Sequence, residues 1–297
     1  MSRLLRDAHP DLEVEVKVVK TTGDADSRPF AEIGGKGLFT TEVEAEVMTG
    51  GADVAVHSAK DLTADVAEGC VIVCVPTRGS VHDVVVGGHG SSGEERLAAL
   101  PRGATVGTSS LRRRALLLDW RPDLEVVEFR GNVDTRLKKV SDGVVDAAIL
   151  AAAGLERLGL DAGAAPLATS RWLPAPAQGT IAIEAQEDRN DLKELFAPLE
   201  DSVARAEFDC ERAFSRAMEG GCSVPLGCLA RASEGRVVAD GFLGLPDGSH
   251  SMRDRISGGA HEAAALGAEL AEAIISCGGR EILEELEEFA SPMVPEP

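Results

Sequence analysis

Between residues 52 and 158, short apolar runs of strand length alternate with segments of helical period, and nothing else in the chain limits the fold as much. The runs at 52–56, 70–75, 83–86, 104–106, 124–129 and 144–150 are rich in valine, isoleucine and alanine and too short for helices. Between them, residues 111–119, the segment ending near Leu137 and residues 151–158 read as helices. Strands alternating with helices at this spacing predict parallel α/β layers. A Gly/Ser stretch at 87–93 precedes a short helix ending near Leu100. Upstream, residues 12–19 alternate Val14, Val16 and Val18 with charged residues and predict a further strand. Gly34-Gly35-Lys36-Gly37 opens a helical pattern through Leu38, Val43 and Val47. Downstream the pattern loosens through Leu173-Pro174-Ala175-Pro176-Ala177-Gln178-Gly179, a crossing between domains, before a strand at 180–184 and a helix at 192–199. Residues 228–231, 236–243 and 249–256 read as an antiparallel meander, with Pro246-Asp247-Gly248 as a turn. Helices at 261–276 and 280–289 follow. At 297 residues the chain has room for two or three domains.

Charge narrows the partners. A formal net charge of −20 argues against nucleic acid, which needs a basic face, and eight Phe, two Trp and no Tyr leave little to stack on bases. Yet Arg102, Arg112, Arg113, Arg114, Arg121, Arg130, Arg136, Lys138 and Lys139 gather in one segment, which suits a small polyanion. There is no apolar run of membrane-spanning length and no signal-peptide core at the start, so no membrane partner and a cytoplasmic location are expected. The cysteines at 70, 74, 210, 222, 228 and 277 form no metal-binding pairs, so no metal site is expected and the thiols read as free. Cys70 and Cys74 read as core on one strand.

Parallel α/β sheets bind ligands beyond the carboxyl ends of their strands. Here those ends carry His57-Ser58-Ala59-Lys60-Asp61, Gly107-Thr108-Ser109-Ser110 and Arg130-Gly131-Asn132. Thr108, Ser109 and Ser110 offer hydroxyls and free N–H groups at a helix start. On that helix Leu111, Ala115 and Leu118 form the predicted buried stripe, with Arg112 and Arg113 projecting off it. Arginine at a helix N-terminus costs about 0.3–1 kcal/mol, which a bound anion would offset. Lys60-Asp61 admits two readings, a surface ion pair or a carboxylate that serves chemistry opposite the arginines. His57 reads as a hydrogen-bonded structural residue, and Gly34-Gly35-Lys36-Gly37 as a glycine hinge with Phe39 capping a site.

Glu219-Gly220-Gly221-Cys222-Ser223-Val224-Pro225-Leu226-Gly227 follows a helical pattern over 202–218 with Val203, Ala206, Cys210, Ala213 and Ala217 on one stripe. Two glycines free the backbone before the thiol and a proline stiffens it after. From the loop alone, a reactive cysteine and a small buried hydrophobe both remain open.

Together these motifs resemble the hydroxymethylbilane synthase family, also called porphobilinogen deaminase. The resemblance is carried by Gly34-Gly35-Lys36-Gly37-Leu38-Phe39, Ala55-Val56-His57-Ser58-Ala59-Lys60-Asp61 and Gly107-Thr108-Ser109-Ser110-Leu111-Arg112-Arg113. It continues through Arg130-Gly131-Asn132-Val133-Asp134-Thr135-Arg136, Ala151-Ala152-Ala153-Gly154-Leu155-Glu156-Arg157-Leu158-Gly159 and the Cys222 loop, in the family's order over nearly the whole chain.

The resemblance implies two α/β lobes of the periplasmic-binding-protein type, residues 1–78 with 177–199 and residues 79–176. It also implies a small α+β domain with an antiparallel sheet at 200–297. It implies a transferase of porphyrin, tetrapyrrole and heme synthesis, acting as a monomer, that deaminates and joins four porphobilinogen molecules into hydroxymethylbilane. The family's primer, a dipyrromethane held by a thioether, would sit on Cys222, with Lys60, Ser58, Ser110, Arg112, Arg113 and Arg136 around it. Thr108, Ser109, Arg130, Asn132 and Arg157 would bind substrate carboxylates. Asp61 matches the catalytic aspartate, which would stabilise the cation left by loss of ammonia, and Lys36 and Phe39 match an active-site lid.

The chain departs from the family at Ala59, Thr63 and Pro176-Ala177, and it opens at about Leu4, inside the helix that normally follows an Arg-x-Ser strand. The sequence therefore keeps two other readings in play, a truncated inactive copy and a non-catalytic anion-binding protein on the same two-lobed fold.

Overall fold

The computed structural model describes residues 1–22, 40–63, 65–219 and 224–290. Helix α1 (Ser2–Ala8) buries Leu5 against Cys74, Ile183 and Phe196. Residues 12–19 form no strand. Leu12 and Val14 pack on the cluster of Cys74 and Ile183, but Val16 and Val18 are 67% and 86% exposed, so the alternation is not buried along its length. Helix α2 (Thr41–Met48) seats Val47 against Ala55 and Cys70. Strand β1 (Ala55–Ser58) runs into a 3₁₀ turn, Ala59–Asp61, and β2 (Cys70–Cys74) follows. Cys70 and Cys74 are both buried, as their shared face on the strand predicts.

The second lobe holds β3 (Asp83–Gly87), α3 (Gly93–Ala99), β4 (Thr105–Gly107), α4 (Leu111–Trp120), β5 (Glu125–Val127), α5 (Val133–Ser141), β6 (Ala147–Ala151), α6 (Ala152–Leu158) and β7 (Ala165–Pro166). Its sheet has the order β5-β4-β6-β3-β7. The parallel expectation holds for β5, β4 and β6, joined by helical crossovers, whereas β3 runs antiparallel to β6 and β7.

The chain then returns to the first lobe as β8 (Ile181–Gln186), which enters between β1 and β2 and is antiparallel to both. The geometry of the crossing imposes this. The chain leaves the first lobe after β2 and re-enters beside its own exit, with Gly79 N donating to Gly179 O at 3.1 Å. Gly179 is needed there, since its φ is +85° and a Cβ would stand 2.6 Å from the Ser80 carbonyl. Helix α7 (Asn190–Phe196) closes the lobe.

Helix α8 (Ser202–Ala217) leads into an antiparallel sheet of β9 (Leu226–Ser233), β10 (Arg236–Gly244) and β11 (Ser251–Gly259), in the order β11-β10-β9. Helices α9 (Ala263–Ile274) and α10 (Arg280–Ala290) follow. The single stripe predicted for α8 is replaced by two faces, and Val203 is 48% exposed. Cys210 and Phe214 face the three-stranded sheet, while Ala204 and Phe208 join Ala59, Val75 and Ala182 of the first lobe. A sandwiched helix needs both faces apolar. The third sheet reaches the second lobe too, through Leu229 and Phe242 in the cluster of Ile149 and Trp172. The structure is thus two α/β lobes joined by a double crossing, with an α+β unit packed on both.

Candidate functional site

Asp61 ends the 3₁₀ turn after β1, where Leu62 N donates to Ala59 O at 3.3 Å. Lys60 and Asp61 are both exposed. Across from them stand arginines of the second lobe. Burial lowers the pKa values of Lys60, Arg136 and Arg157, and the charge of Asp61 pushes each of them back up. At Lys60, protein packed around the ammonium outweighs the attraction of Asp61, so its pKa stays lowered. Arg157, on α6, spans the lobes directly, donating to Gly179 O at 2.8 Å and reaching Ser58 Oγ at 3.5 Å.

At Arg136, burial is reinforced by repulsion from Arg113 and Arg130, so positive charge accumulates at one place. Its Nε is buried with no hydrogen-bond partner among the described residues, as is that of Arg112. Arg130 Nε donates to Glu128 at 2.7 Å, while its backbone carbonyl accepts from Lys139.

The polar residues at the strand ends hold their own loops. Ser110 Oγ accepts from Arg113 N at 3.4 Å and caps α4, and Thr108 Oγ1 accepts from Ser110 N. Ser109 Oγ accepts from Phe129 N, and Asn132 Oδ1 accepts from Thr135 N at 2.8 Å to cap α5. Accepting a backbone N–H leaves each hydroxyl proton, and the Asn132 amide protons, free to donate to an anion.

Arg112 and Arg113 correct the expectation that they project off α4. Both are buried, and the inward face of the helix comprises these arginines with Ala115, Leu116 and Leu117, while Leu111 and Leu118 are only partly buried. Asp83, fully buried at the head of β3, draws them in. Arg112 Nη1 meets Asp83 Oδ2 and Arg113 Nη2 meets Oδ1, each at 2.7 Å. Trp172 Nε1 and Gln178 Nε2 donate to the same carboxylate. Burial works against the charge on Asp83, but the two guanidiniums hold its carboxyl well below the usual carboxylate range. The dipole cost at the start of α4 is therefore offset from within.

Asp83 was absent from the sequence-based site, although an acid heading the apolar run Val84-Val85-Val86 must find a cation if it is buried. A second missed group is Glu211 of α8. It takes two bonds from Arg78, at 2.8 and 2.9 Å, and one each from Ala177 N and Ala230 N, tying both crossing segments to the third sheet. His57 is buried with Nε2 2.9 Å from Glu184 Oε2, but its Nε2 makes no hydrogen bond among the described residues, unlike the hydrogen-bonded residue expected. Lys36, Phe39 and Cys222 lie outside the described residues.

Fold and site together define a two-lobed α/β protein with converging arginines and an opposed carboxylate between the lobes, suited to a small polycarboxylate. Residues 1–194 match the family model "Porphobilinogen deaminase, dipyromethane cofactor binding domain", and residues 206–276 match "Porphobilinogen deaminase, C-terminal domain". A porphobilinogen deaminase of Syntrophus aciditrophicus is 41% identical over 286 residues, covering 96% of this chain and 92% of its own. One from a Roseiflexus species is 44% identical over 281 residues, covering 94% and 91%, and one from Nitratidesulfovibrio vulgaris 43% over 286 residues, covering 94% and 89%. The chain belongs to the porphobilinogen deaminase family, a family of transferases in tetrapyrrole and heme synthesis.

Proposed function

We propose that the chain works as a hydroxymethylbilane synthase, adding four porphobilinogen molecules in turn and releasing ammonia at each addition. The observation that carries this reading is the placement of Asp61 on one lobe against Arg136 and Arg157 on the other. The residues fit a dipyrromethane bearing carboxylates, because Arg136 Nε is a buried donor with no partner among the described residues. When bound, that group supplies the growing end of the pyrrole chain and remains on the protein.

Cys222 would hold it, with Lys60, Ser58, Ser110 and Arg136 taking its carboxylates. Arg112 and Arg113 would support it from behind through the Asp83 network. Arg130, Arg157, Thr108, Ser109 and Asn132 would orient the acetate and propionate of the incoming substrate, Arg through paired donors that a lysine lacks. Each addition breaks the C–N bond of the substrate's aminomethyl group and joins its methylene carbon to a pyrrole α-carbon, whose lost proton balances the ammonia released. Asp61 offsets the positive charge that develops as ammonia departs. Lys36 and Phe39 would close over the site.

On this reading residues 1–78 with 177–199, 79–176 and 200–297 are the three domains, and the protein acts as a cytoplasmic monomer without nucleic-acid or membrane partners. No helix among the described residues is long and apolar enough to cross a membrane.

Intact mass tests the reading. Protein purified from cells that make porphobilinogen is expected to be heavier than its sequence by two linked pyrrole units, and Cys222→Ser is expected to lose that increment. An unmodified wild-type mass overturns the role of Cys222 and favours reversible anion binding.

A further inference from the structure

The turn that carries Asp61 is held by a helix from outside its own lobe. Ala59 and Leu62, which flank Lys60 and Asp61, pack with Ala204 and Phe208 of α8. Past the turn the contact becomes polar. Arg212 lies over the Phe208 ring at 5.7 Å and donates through Nη1 to the Thr63 carbonyl. One turn further along, Arg216 pairs with Asp65 at 2.8 Å. Phe208, Arg212 and Arg216 are spaced four apart and form one stripe along the helix.

Behind the turn, Arg212 is close enough to the buried Glu184 to feel its charge, and Glu184 in turn faces His57 of β1. Arg212 therefore touches the segment after Asp61 and stands near the carboxylate that backs the strand before it. A three-residue 3₁₀ turn whose one closing hydrogen bond among the described residues is 3.3 Å long does not fix an exposed carboxylate by itself.

We propose that Arg212 is a positioning residue: by holding the Thr63 carbonyl, it fixes where the Asp61 carboxylate stands between the lobes. The inference rests on Asp61 being the catalytic carboxylate. Misplacement of a catalytic group by about 1 Å costs on the order of 10²-fold in rate.

The test compares Arg212→Met, Arg212→Lys and Asp61→Ala in full-length protein, reading intact mass, Tm and steady-state kinetics together. Arg212→Met is expected to keep the primer mass and to lose kcat by roughly 10²-fold, with KM changed by less than about threefold. Arg212→Lys still has a donor for the Thr63 carbonyl and is expected to recover about tenfold of that loss. Wild-type kcat in Arg212→Met beside an inactive Asp61→Ala overturns the inference and leaves the Asp61 reading standing. Near-wild-type kcat in Asp61→Ala overturns that reading itself, and the inference with it. A raised KM at unchanged kcat assigns Arg212 to substrate binding and also overturns the inference. If Arg212→Met does not fold, Arg212→Gln, whose side chain is too short to hold the Thr63 carbonyl in the same place, decides: lowered kcat at unchanged KM and Tm supports positioning, and unchanged kcat overturns it.

Discussion

Asp83 decides what two arginines do. Without it, Arg112 and Arg113 would be costly at the start of α4; with it, they become part of the core, locked to one carboxylate that also serves Trp172 and Gln178. Removing that charge strands two buried guanidiniums. Asp83→Asn is therefore expected to destabilise the protein by about 3–5 kcal/mol, measured as a shift in the urea midpoint at pH 7. The pH dependence follows from the direction of the shift. The folded-state pKa of Asp83 lies below its unfolded value, so its contribution is complete above about pH 4 and is lost as pH falls through the folded value. Wild-type stability should decline on acidification below about pH 4, and Asp83→Asn should lack that part of the decline. Identical acid limbs in the two proteins would contradict the assignment. The arginine cluster was legible in the sequence, whereas its counter-ion, some thirty residues upstream, was not: Arg112 and Asp83 meet only because β3 and the start of α4 come together in the folded lobe.

Helix α8 carries more of the architecture than its length suggests. Glu211 joins Arg78 and Ala177, one from each crossing segment, to Ala230 in the middle of β9, and the acid is fully buried. Glu211→Ala leaves Arg78 without its main partner and two backbone donors unsatisfied. It is expected to lower Tm by about 10 °C, from a loss of roughly 3–5 kcal/mol, by calorimetry. A fall of less than about 2 °C would mean that the two crossings are held by other contacts. The existence and extent of this helix were readable from 3.6-residue periodicity, and so were most strands. Its second buried face was not, because a period shows which residues prefer burial and not how many partners will cover them. Residues 12–19 show the opposite failure: the alternation was real, but a strand needs a neighbouring backbone to pair with, and among the described residues none pairs with this segment.

At the scale of the molecule, a chain of net charge −20 concentrates arginines where its lobes face each other, and Arg113 and Arg130 both repel Arg136. A bound polycarboxylate relieves that repulsion and binds only the folded state, so it should stabilise. Cys222→Ser, lacking the covalently held group, is expected to melt about 5 °C or more below the loaded wild type. Equal Tm values would mean that the arginines do not engage it. The sequence alone determined the α/β character, the antiparallel unit near the end, the motifs in family order and the identity of the charged residues available, because periodicity and local chemistry are properties of neighbours along the chain. Tertiary structure decided that β8 enters its sheet antiparallel, that Arg112 and Arg113 turn inward to Asp83, and that α8 seats the turn of Asp61. Each of these depends on groups far apart in sequence meeting in a place that water has left, where an unpaired charge or an unpartnered strand is too costly to persist.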